Sequence, residues 1–451
     1  MIKKIITASI IVITIIGVFF LIGRNKSQDN SEYVGGVDEV DFSNYSVTEL
    51  TTSNNITSGG VYSLSGNYTE TIKVNATNAD VKIILNNVSI NTTNGPAIYI
   101  EEADNVYIEI NGNNTITSNT TEELDAAIYS KADLCFIGDG TLNITSNYDG
   151  IKGSDDLEFD SGTYNITSND DGIVGEYSLY ILDGTYNIKS NGKGIKSSST
   201  ETNKGSITLI GGTYNITSND DSINSNNSLT ITGGIYKLSS TDDGLHAEKF
   251  LTISDGTINV IKSYEGIEGS IITISGGDIK VLSSDDGINA SSELTIEGGN
   301  TYVNASGDGL DSNGNIYIKD GIIYVDGPTN NGNGSIDYGD ENTYKFEVTG
   351  GTLIAVGTSG MAVSPTSGTT VTSLLLNMTS AYKGDITLGS ITYSPTKAYN
   401  SILICSDKLK VGNTYKLLIN NVEIESVTLS DTITKIGTSS MMGGPNNQGR
   451  R

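Results

Sequence analysis

Hydrophobic and polar residues alternate along most of the chain in short runs. In Thr163-Tyr164-Asn165-Ile166-Thr167, for example, the apolar residues Tyr164 and Ile166 stand two positions apart. A spacing of two is the period of a β-strand, whose successive side chains point to opposite faces of a sheet. Gly, Asn, Asp and Ser separate the runs, and these residues favour tight turns. The pattern therefore predicts many short strands and an all-β fold.

The strand-and-turn pattern repeats with a nearly fixed period between Asp139 and Leu310. Each repeat contains an acidic corner, such as Asp170-Asp171-Gly172-Ile173, followed by a strand and a glycine turn. The Gly or Ser of successive corners stands at positions 150, 172, 194, 222, 244, 266, 287 and 309, in steps of 22, 22, 28, 22, 22, 21 and 22. A period this constant is typical of a solenoid. Because the leucine frame of leucine-rich repeats is absent, we predict a right-handed parallel β-helix with about 22 residues per rung.

The repeat also predicts which side chains point into such a β-helix. Tyr164 and Ile166 would share the inner face of their strand, while Thr and Asn would share the outer face. The Ile or Leu that follows each corner glycine would point inward and stack on its equivalents. We attribute the corner glycine to a positive φ or a tight bend.

The repeat and its flanks divide the chain into five segments. Residues 48–359 would form the β-helix, with its first, irregular strands acting as an N-terminal β cap. Residues 360–438 lose the corner motif but keep strand-like runs. We interpret them as a C-terminal β cap, since the end of a solenoid core must be covered. Residues 27–47 would be a polar linker, and residues 439–451, rich in Gly and Asn, a disordered tail.

Residues 1–26 have the composition of a targeting segment. Lys3 and Lys4 precede an apolar run from Ile5 to Ile22, which Arg24 closes. The run is longer than the roughly 7–15 residues of a signal peptide's apolar region, so a membrane anchor fits it slightly better than a cleaved signal. Either alternative predicts export, with the rest of the chain extracellular at the cell surface and in contact with the membrane only through this segment.

The charge balance excludes one class of partner. The chain has 53 acidic residues against 26 Lys and Arg, and a formal net charge of −27. Binding of nucleic acid depends on clustered basic residues, so we expect no nucleic-acid partner.

Cys135 and Cys405 each lie in an apolar, strand-like stretch and are predicted to be buried thiols. We expect the protein to be a monomer.

The acidic corners form the candidate functional feature. Stacked rungs would place equivalent carboxylates about 4.8 Å apart, where like charges repel by on the order of 1 kcal/mol per pair even in water. Ca²⁺ binds carboxylate oxygens at roughly 2.3–2.6 Å and could neutralise such a ladder. The alternative is that Asp merely favours turns. The predicted metal ligands are Asp170, Asp171, Asp220, Asp221, Asp242, Asp243, Asp285, Asp286, Asp308 and Asp311.

Two tyrosines occupy corner positions that elsewhere carry the first Asp. Tyr148 and Tyr264 could stack on sugar rings and so contribute to carbohydrate binding. They could equally be packing residues, and the sequence leaves both alternatives open.

These corners resemble those of a known family. Asp285-Asp286-Gly287-Ile288-Asn289-Ala290 and Asp242-Asp243-Gly244-Leu245-His246-Ala247, each followed by a strand, are similar to the exported clostridial carbohydrate-binding β-helix family. The stretches 59–66 and 409–415 share the resemblance, which spans roughly residues 48–445. It implies a pectate-lyase-like fold that binds Ca²⁺ and plant polysaccharide, cellulose and polygalacturonate. The departures at Lys193 and Glu265 put Ca²⁺ at those two rungs in doubt.

Three functions remain open from the sequence. The first is non-catalytic binding of polysaccharide by a calcium-stabilised β-helix. The second is a calcium-dependent polysaccharide lyase, whose base would be Lys152, Lys193 or Lys196, because no Arg stands between Arg24 and Arg450. Each of these lysines could instead simply balance the carboxylate ladder. The third is a structural surface fibre or adhesin in which Ca²⁺ only rigidifies the fold.

Overall fold

A computed structural model describes residues 36–51, 54–339 and 343–437. These residues form β-strands, turns and irregular segments, and none of them forms a helix. No helix that could span a membrane therefore occurs in the described part of the chain. The predicted membrane anchor at 1–26 lies outside the described residues, as do residues 27–35 of the predicted linker and the tail at 439–451.

The first strands in the chain are β1 (Val47–Glu49), β2 (Asn55–Ile56), β3 (Gly60–Tyr68), β4 (Ile72–Asn75), β5 (Val81–Thr92), β6 (Ile98–Glu102), β7 (Asn105–Asn111), β8 (Asn113–Ser118), β9 (Ala126–Ser130), β10 (Asp133–Ile137), β11 (Thr141–Ser146), β12 (Asp149–Gly153), β13 (Asp156–Phe159), β14 (Thr163–Ser168), β15 (Ile173–Gly175), β16 (Ser178–Ile181), β17 (Thr185–Ser190), β18 (Ile195–Ser197) and β19 (Ser206–Leu209). Those that follow are β20 (Thr213–Ser218), β21 (Ile223–Ser225), β22 (Ser228–Ile231), β23 (Ile235–Ser239), β24 (Leu245–Ile253), β25 (Thr257–Lys262), β26 (Ile267–Ile274), β27 (Asp278–Leu282), β28 (Ile288–Ile296), β29 (Asn300–Asn304), β30 (Leu310–Ser312), β31 (Asn315–Ile318) and β32 (Ile322–Asp326). The last are β33 (Phe346–Val348), β34 (Thr352–Gly357), β35 (Ser373–Tyr382), β36 (Ile386–Leu388), β37 (Ile391–Tyr393), β38 (Tyr399–Ser406), β39 (Thr414–Ile419), β40 (Val422–Thr428) and β41 (Ile433–Ile436).

The chain divides into two compact units. Unit 1 contains Met1–Thr213 and Ser225–Asn227, and unit 2 contains Tyr214–Asn224 and Ser228–Arg451. In unit 1 the strands form three parallel ladders, which confirms the predicted solenoid. The first ladder runs through β1, β3, β5, β7, β10, β13, β16 and β19. The second runs through the end of β5, then β8, β11, β14 and β17. The third runs through β2, β4, β6, β9, β12, β15 and β18.

Unit 2 has the same three kinds of ladder. Its first ladder contains β22, the ends of β24, β26 and β28, then β31 and β33. Its second ladder contains β23, β25, β27, β29, β32 and β34. Its third ladder contains the beginnings of β24, β26 and β28 and then β30. In both units the acidic corners directly precede strands of the third ladder, so the register of that ladder positions the carboxylates.

The core of each unit consists of stacked equivalent side chains. In unit 1 the rings of Tyr164 and Tyr186 stack with their centroids 5.1 Å apart, and both side chains are fully buried. The corner residue Ile173 is also fully buried. In unit 2, Tyr214 and Tyr236 stack at 4.5 Å and the corner residue Leu245 is buried. The predicted inward positions are therefore confirmed.

The corner glycines serve a different purpose from the positive φ that we expected. Positive φ occurs at the glycines of the other turns, such as Gly162 at 109° and Gly184 at 125°, but not at the corners. At Gly172 an added Cβ would lie 2.4 Å from the carbonyl oxygen of Gly194 on the next rung. Gly287 has the same constraint, since its Cβ would lie 2.1 Å from Cγ1 of Val303. Close stacking of successive rungs requires glycine there, and the expectation of positive φ is wrong.

The last strands of unit 2 depart from the parallel ladders. β38 pairs antiparallel with β34 and β35, and β37, β36, β39 and β40 form a separate antiparallel sheet. The segment that joins β37 to β38 is held by Asp326. The buried carboxylate of Asp326 accepts hydrogen bonds from the Tyr393 hydroxyl at 2.5 Å and the Thr396 amide at 2.8 Å. The capping role that we assigned to residues 360–438, and the segment boundaries themselves, stay predictions.

The two cysteines are buried free thiols, as predicted. Cys405 lies in β38, and complete burial raises the pKa of its thiol to about 12. Cys135 lies in β10. A thiol held in its neutral form is a weak nucleophile and a weak metal ligand. We therefore assign Cys405 no chemistry beyond packing.

Candidate metal and polysaccharide site

One carboxylate oxygen holds the next rung in register at five corners, namely Asp149, Asp171, Asp221, Asp286 and Asp308. In unit 1 the backbone N–H of Asp171 donates to Oδ1 of Asp149 at 2.9 Å. In unit 2 the N–H of Asp243 donates to Oδ1 of Asp221 at 3.0 Å. The corner Asp therefore does satisfy a turn amide, as the alternative explanation supposed, but the amide belongs to the equivalent residue one rung further on. This leaves the second oxygen of the carboxylate available for other partners.

The partner of that second oxygen differs from rung to rung. The partner is a residue that stands three after a corner position, either on the same rung, as at Asn224 and His246, or on the next rung, as at Lys196, which follows Lys193. In unit 2, Asn224 donates to Oδ2 of Asp221 at 2.7 Å, and His246 Nδ1 lies 2.9 Å from Oδ2 of Asp243. In unit 1, Oδ2 of Asp171 pairs with Lys196 at 2.9 Å. The residue at this position determines whether a rung needs an external cation.

Lysines neutralise the acidic corners of unit 1. Lys152 contacts Asp125 at 2.9 Å and Glu176 at 3.5 Å. Burial together with the neighbouring Asp171 carboxylate raises the pKa of Asp149 to about 8. Oxygens of Asp149, Asp170 and Asp171 come within 4.8 Å of one another. Because Lys196 already pairs with Asp171, this cluster has less need of a metal ion than its acidity suggests.

His246 has the same neutralising role at the first corners of unit 2. Its Nδ1 lies 2.9 Å from Asp243 Oδ2 and 2.8 Å from Glu268 Oε2. Burial lowers the pKa of His246, but the hydrogen bonds that it donates to Asp243 and Glu268 outweigh that effect and raise the pKa to about 10. The hydrogen bond from His246 lowers the pKa of Glu268 to about 2. His246 is therefore an imidazolium cation at neutral pH, bridging carboxylates on two rungs.

The predicted ligands nearest to His246 form two overlapping groups. Oxygens of Asp220, Asp221 and Asp242 come within 4.8 Å of one another, and so do ligand atoms of Asp221, Asp243 and His246. Asp221 and Asp243 are buried, whereas Asp242 is exposed. The second group already contains its own cation, the imidazolium.

The later corners of unit 2 have no such cation. None of the residues Glu265, Asp286, Asp308 and Asp311 forms an ion pair with a basic residue in the described part of the chain. Burial, followed by repulsion between neighbouring carboxylates, raises the pKa of Asp311 to about 7 and of Asp308 to about 6. The pKa of Glu265 is raised to about 7, chiefly by burial. We call these four residues with Asn289 the unit 2 acid cluster.

Asn289 provides a test of whether the unit 2 acid cluster suits a metal ion. It pairs with Glu268 and Asp311 in the register of the third ladder, and its Nδ2 donates to Glu265 Oε2 at 2.9 Å. Its Oδ1 is buried and has no hydrogen-bond partner in the structure. Carboxylate and amide oxygens are the ligands that Ca²⁺ prefers. The donor set of the cluster therefore fits a hard divalent cation.

The remaining predicted site residues lie apart from this cluster or at its edge. Asp285 precedes Asp286, and its backbone N–H donates to the carbonyl of Tyr264 at 2.9 Å. Tyr264 is 47% exposed, whereas Tyr148, in unit 1, is half-buried. A hydrogen bond with Asp285 raises the pKa of Tyr264. The backbone N–H of Lys193 donates to Oδ1 of Asp171 at 2.6 Å, so this corner keeps the same register as the acidic ones.

Sequence reasoning undervalued two residues of this region. Glu265 departs from the Asp-Asp-Gly corner and its rung was therefore doubted, yet its carboxylate lies in the unit 2 acid cluster. Glu268 was not considered at all, although it pairs with His246. Glu268 can be found by comparing the residues three after each corner acid, which in unit 2 are Asn224, His246, Glu268, Asn289 and Asp311. Glu265 can be found in the column of the corner acids themselves.

Comparison with known proteins identifies the family. The family model for carbohydrate-binding domain-containing proteins matches residues 51–309 and 271–446. The chain belongs to this family. The described residues of this family member include both the unit 2 acid cluster and the lysine-neutralised corners of unit 1.

One solved structure also matches the chain. It is described as the polysaccharide lyase-like protein from C. thermocellum, in a gadolinium derivative. The two chains are 30% identical, and the match covers 48% of this chain and 91% of that one with a TM-score of 0.42. No curated protein matches the chain.

Proposed function

We propose that this protein binds plant cell-wall polysaccharide outside the cell without cleaving it, and that Ca²⁺ held at the unit 2 acid cluster joins it to polygalacturonate. Family membership supports carbohydrate binding in general. The finer proposal depends on one observation: the half-buried, mutually repelling carboxylates around Asp308 and Asp311 form no ion pair with a basic residue that the structure describes.

Glu265, Asp286, Asn289, Asp308 and Asp311 would supply the metal ligands. Bound Ca²⁺ would neutralise the cluster and accept the carboxylate of a uronate residue in a remaining coordination position. This accounts for an acidic protein that binds an acidic polymer, because the two negative surfaces meet through the cation. Tyr264, exposed at the adjoining corner, would stack on a neighbouring sugar ring. Cellulose is the second polymer that we propose as a ligand.

The environment of the candidate lysines argues against a lyase. A lysine base must lose its proton near neutral pH, which requires a lowered pKa. Burial lowers the pKa of Lys152, but hydrogen bonding to Asp125 outweighs it and raises the pKa above its ordinary value. Lys196 is paired with Asp171. The raised pKa holds Lys152 in the charged form, and the ion pair with Asp171 engages the amine of Lys196. Both arrangements suit neutralisation of carboxylates and not proton abstraction.

The proposal includes a location at the cell surface. The observation that supports it is the basic and then apolar sequence of residues 1–26, which reads as a membrane anchor or a signal peptide. Protease accessibility of the folded part on intact cells, before and after cell lysis, tests it. Resistance to protease until lysis would contradict an external location.

The central test is affinity electrophoresis of the full chain in polygalacturonate gels and in soluble glucan gels, with Ca²⁺ or with chelator. The same incubations are followed by the ultraviolet absorbance of unsaturated uronate products. We expect Ca²⁺-dependent retardation in polygalacturonate and no new absorbance. Asp311→Asn should abolish the Ca²⁺-dependent part, while Asp139→Asn, an exposed acid of unit 1, should leave it unchanged.

The other outcomes each favour a different function. Rising absorbance would identify a lyase and direct attention to Lys152, Lys193 and Lys196. Absence of retardation with both polymers would leave a structural surface fibre or adhesin as the better explanation. Retardation that is equal in Ca²⁺ and in chelator would support polysaccharide binding but contradict the role of the metal.

A further inference from the structure

The outer side of the second ladder in unit 1 carries a regular array of neutral polar side chains. Outward positions alternate with the buried Tyr and Ile, so that β11 presents Thr141, Asn143 and Thr145 and β14 presents Thr163, Asn165 and Thr167. The counterparts on β8 and β17 continue these columns in register. We call this surface, from β8 to β17, the threonine–asparagine face.

The central column of this face is held rigidly by its own hydrogen bonds. The side-chain amide of Asn165 donates to Oδ1 of Asn143 at 2.8 Å, and that of Asn187 donates to Oδ1 of Asn165 at 2.8 Å. Asn143 donates in turn to Oδ1 of Asn113 at 2.8 Å. Each amide is thereby fixed in one orientation, which reduces the entropy that a ligand would have to remove on binding.

The flanking threonines, in contrast, have unused hydrogen-bonding capacity. The hydroxyls of Thr117, Thr141, Thr145, Thr163 and Thr167 make no hydrogen bond to any residue that the structure describes. Thr117, Thr145 and Thr167 are exposed and stand directly beside one another in register. Equivalent hydroxyls recur about every 4.8 Å across the strands, and outward residues recur about every 6.6 Å along each strand. The face is therefore a flat lattice of donors and acceptors.

The charge of the face decides which kind of ligand suits it. The outward positions of β8, β11, β14 and β17 include no carboxylate, and Lys189 at one edge is their only charged residue. This contrasts with the formal charge of −27 on the whole chain. An anionic polymer would find almost no cation on this face of the protein. A ligand whose own surface is uncharged and rich in hydroxyls could exchange hydrogen bonds with every rung.

We propose that the threonine–asparagine face is a second polysaccharide-binding surface, specific for an uncharged β-linked glucan presented as a flat, insoluble array. The inference rests on the proposed function and adds to it a division of labour. The unit 2 acid cluster takes the anionic uronate polymer through Ca²⁺, and the threonine–asparagine face takes the neutral polymer without a metal ion.

The test compares binding of the full chain to microcrystalline cellulose with that of the variant Thr117→Val/Thr145→Val/Thr167→Val. Valine keeps the branched shape and the strand propensity of threonine but removes the hydroxyl. Each lost hydrogen bond weakens binding by roughly twofold to tenfold, so we expect the Kd to rise at least tenfold. Ca²⁺-dependent retardation in polygalacturonate should stay unchanged, and the matching Thr→Ser variant should bind cellulose like the wild type.

A matched control makes the same change on another surface. Thr230→Val/Thr252→Val/Thr273→Val removes three partly exposed, register-matched hydroxyls from the first ladder of unit 2 and should leave cellulose binding intact. Wild-type affinity in the first triple variant, or an equal loss in the control, would overturn the inference. Wild-type binding to polygalacturonate but not to cellulose would overturn this inference and cellulose as a ligand, but not the Ca²⁺-dependent binding of polygalacturonate. Failure of the wild type to bind either polymer would overturn the proposed function as well.

Discussion

At the scale of single residues, the repeat depends on two positions of the corner that have separate physical roles. The glycine is required because a Cβ would collide with the backbone of the next rung, as at Gly287, where the carbonyl oxygen of Gly309 would lie 2.5 Å away. One oxygen of the acid before it accepts the backbone hydrogen bond that sets the register, and the other oxygen is left for chemistry. Substitution of the glycine should therefore affect stability, whereas substitution of an outward acid should affect metal binding.

Gly287→Ala should lower the free energy of unfolding by roughly 1–3 kcal/mol, the usual cost of an over-packed site. The contacts responsible are Cγ1 of Val303 and the carbonyl of Gly309. Urea unfolding followed by circular dichroism measures the change. Gly332→Ala is the control, because its added Cβ would contact only Oδ1 of Asn330 at 3.3 Å, and we expect an effect within about 0.5 kcal/mol. Equal stability of the two variants would contradict the stacking explanation.

Asp311→Asn should raise the melting temperature in chelator and lower the gain on adding Ca²⁺. The reason is that Asp311 is repelled by Asp286 and Asp308. Each such pair lowers the free energy of unfolding by on the order of 1 kcal/mol, which corresponds to about 2–4 °C in melting temperature. Thermal scans with chelator and with Ca²⁺ measure both effects. Asp139→Asn removes the same charge elsewhere and should change neither. A variant that kept the full gain from Ca²⁺ would place the metal away from Asp311.

At the scale of structural elements, neighbouring strands of the third ladder are connected by side chains as well as by backbone hydrogen bonds. His246 on β24 contacts Glu268 on β26, its register partner, at 2.8 Å. Lys196 connects β18 to the corner before β15 in the same manner. In the unit 2 acid cluster Asn289 connects to Glu265, but no basic side chain of the described residues connects its rungs, and we propose that Ca²⁺ supplies the missing positive charge.

His246→Gln should destabilise unit 2 by about 3 kcal/mol at pH 6, at the low end of the range for breaking a buried ion pair, because Glu268 is partly exposed. The folded-state pKa of His246 is raised to about 10, so its stabilising effect is fully present below pH 6.5 and is lost as the pH rises through about 10. The difference between wild type and variant should therefore shrink between pH 7 and pH 10.5. Urea unfolding over that pH range measures it, and a constant difference would contradict the charged state of His246.

At the scale of the whole molecule, the raised pKa values of buried acids make stability depend on pH and on metal together. Asp149, Glu265, Asp308 and Asp311 have pKa values of about 8, 7, 6 and 7 in the folded chain. The folded state therefore binds more protons than the unfolded state between roughly pH 4 and pH 8. Without metal, stability should fall as the pH rises through this window.

We accordingly expect the melting temperature in chelator to decrease from pH 5 to pH 8. Ca²⁺ should restore most of the loss at pH 8 and little at pH 5, since protonated carboxyls bind the ion weakly. Mg²⁺, which requires stricter octahedral geometry, should restore less. Differential scanning calorimetry at matched ionic strength measures these effects. A melting temperature that rises with pH in chelator would show that the acid cluster carries no unfavourable charge.

The strands, the period and the inward column follow from the amino-acid sequence alone. Alternation fixes which of Tyr164 and Thr163 faces the core, because a one-residue shift would expose every apolar side chain of the strand. The repeat of 22 residues fixes which corners stack. These properties are local or periodic, and both kinds can be read along a single chain.

The pairing of the carboxylates, in contrast, depends on the folded structure. Whether a corner acid meets Lys196, His246 or another acid depends on the register between strands that are separated by a whole rung, and on burial that raises one pKa and not another. The same kind of register between strands places threonines and asparagines of separate strands side by side in the threonine–asparagine face. Distances across rungs follow from how the ladders stack, which no local pattern of the sequence specifies.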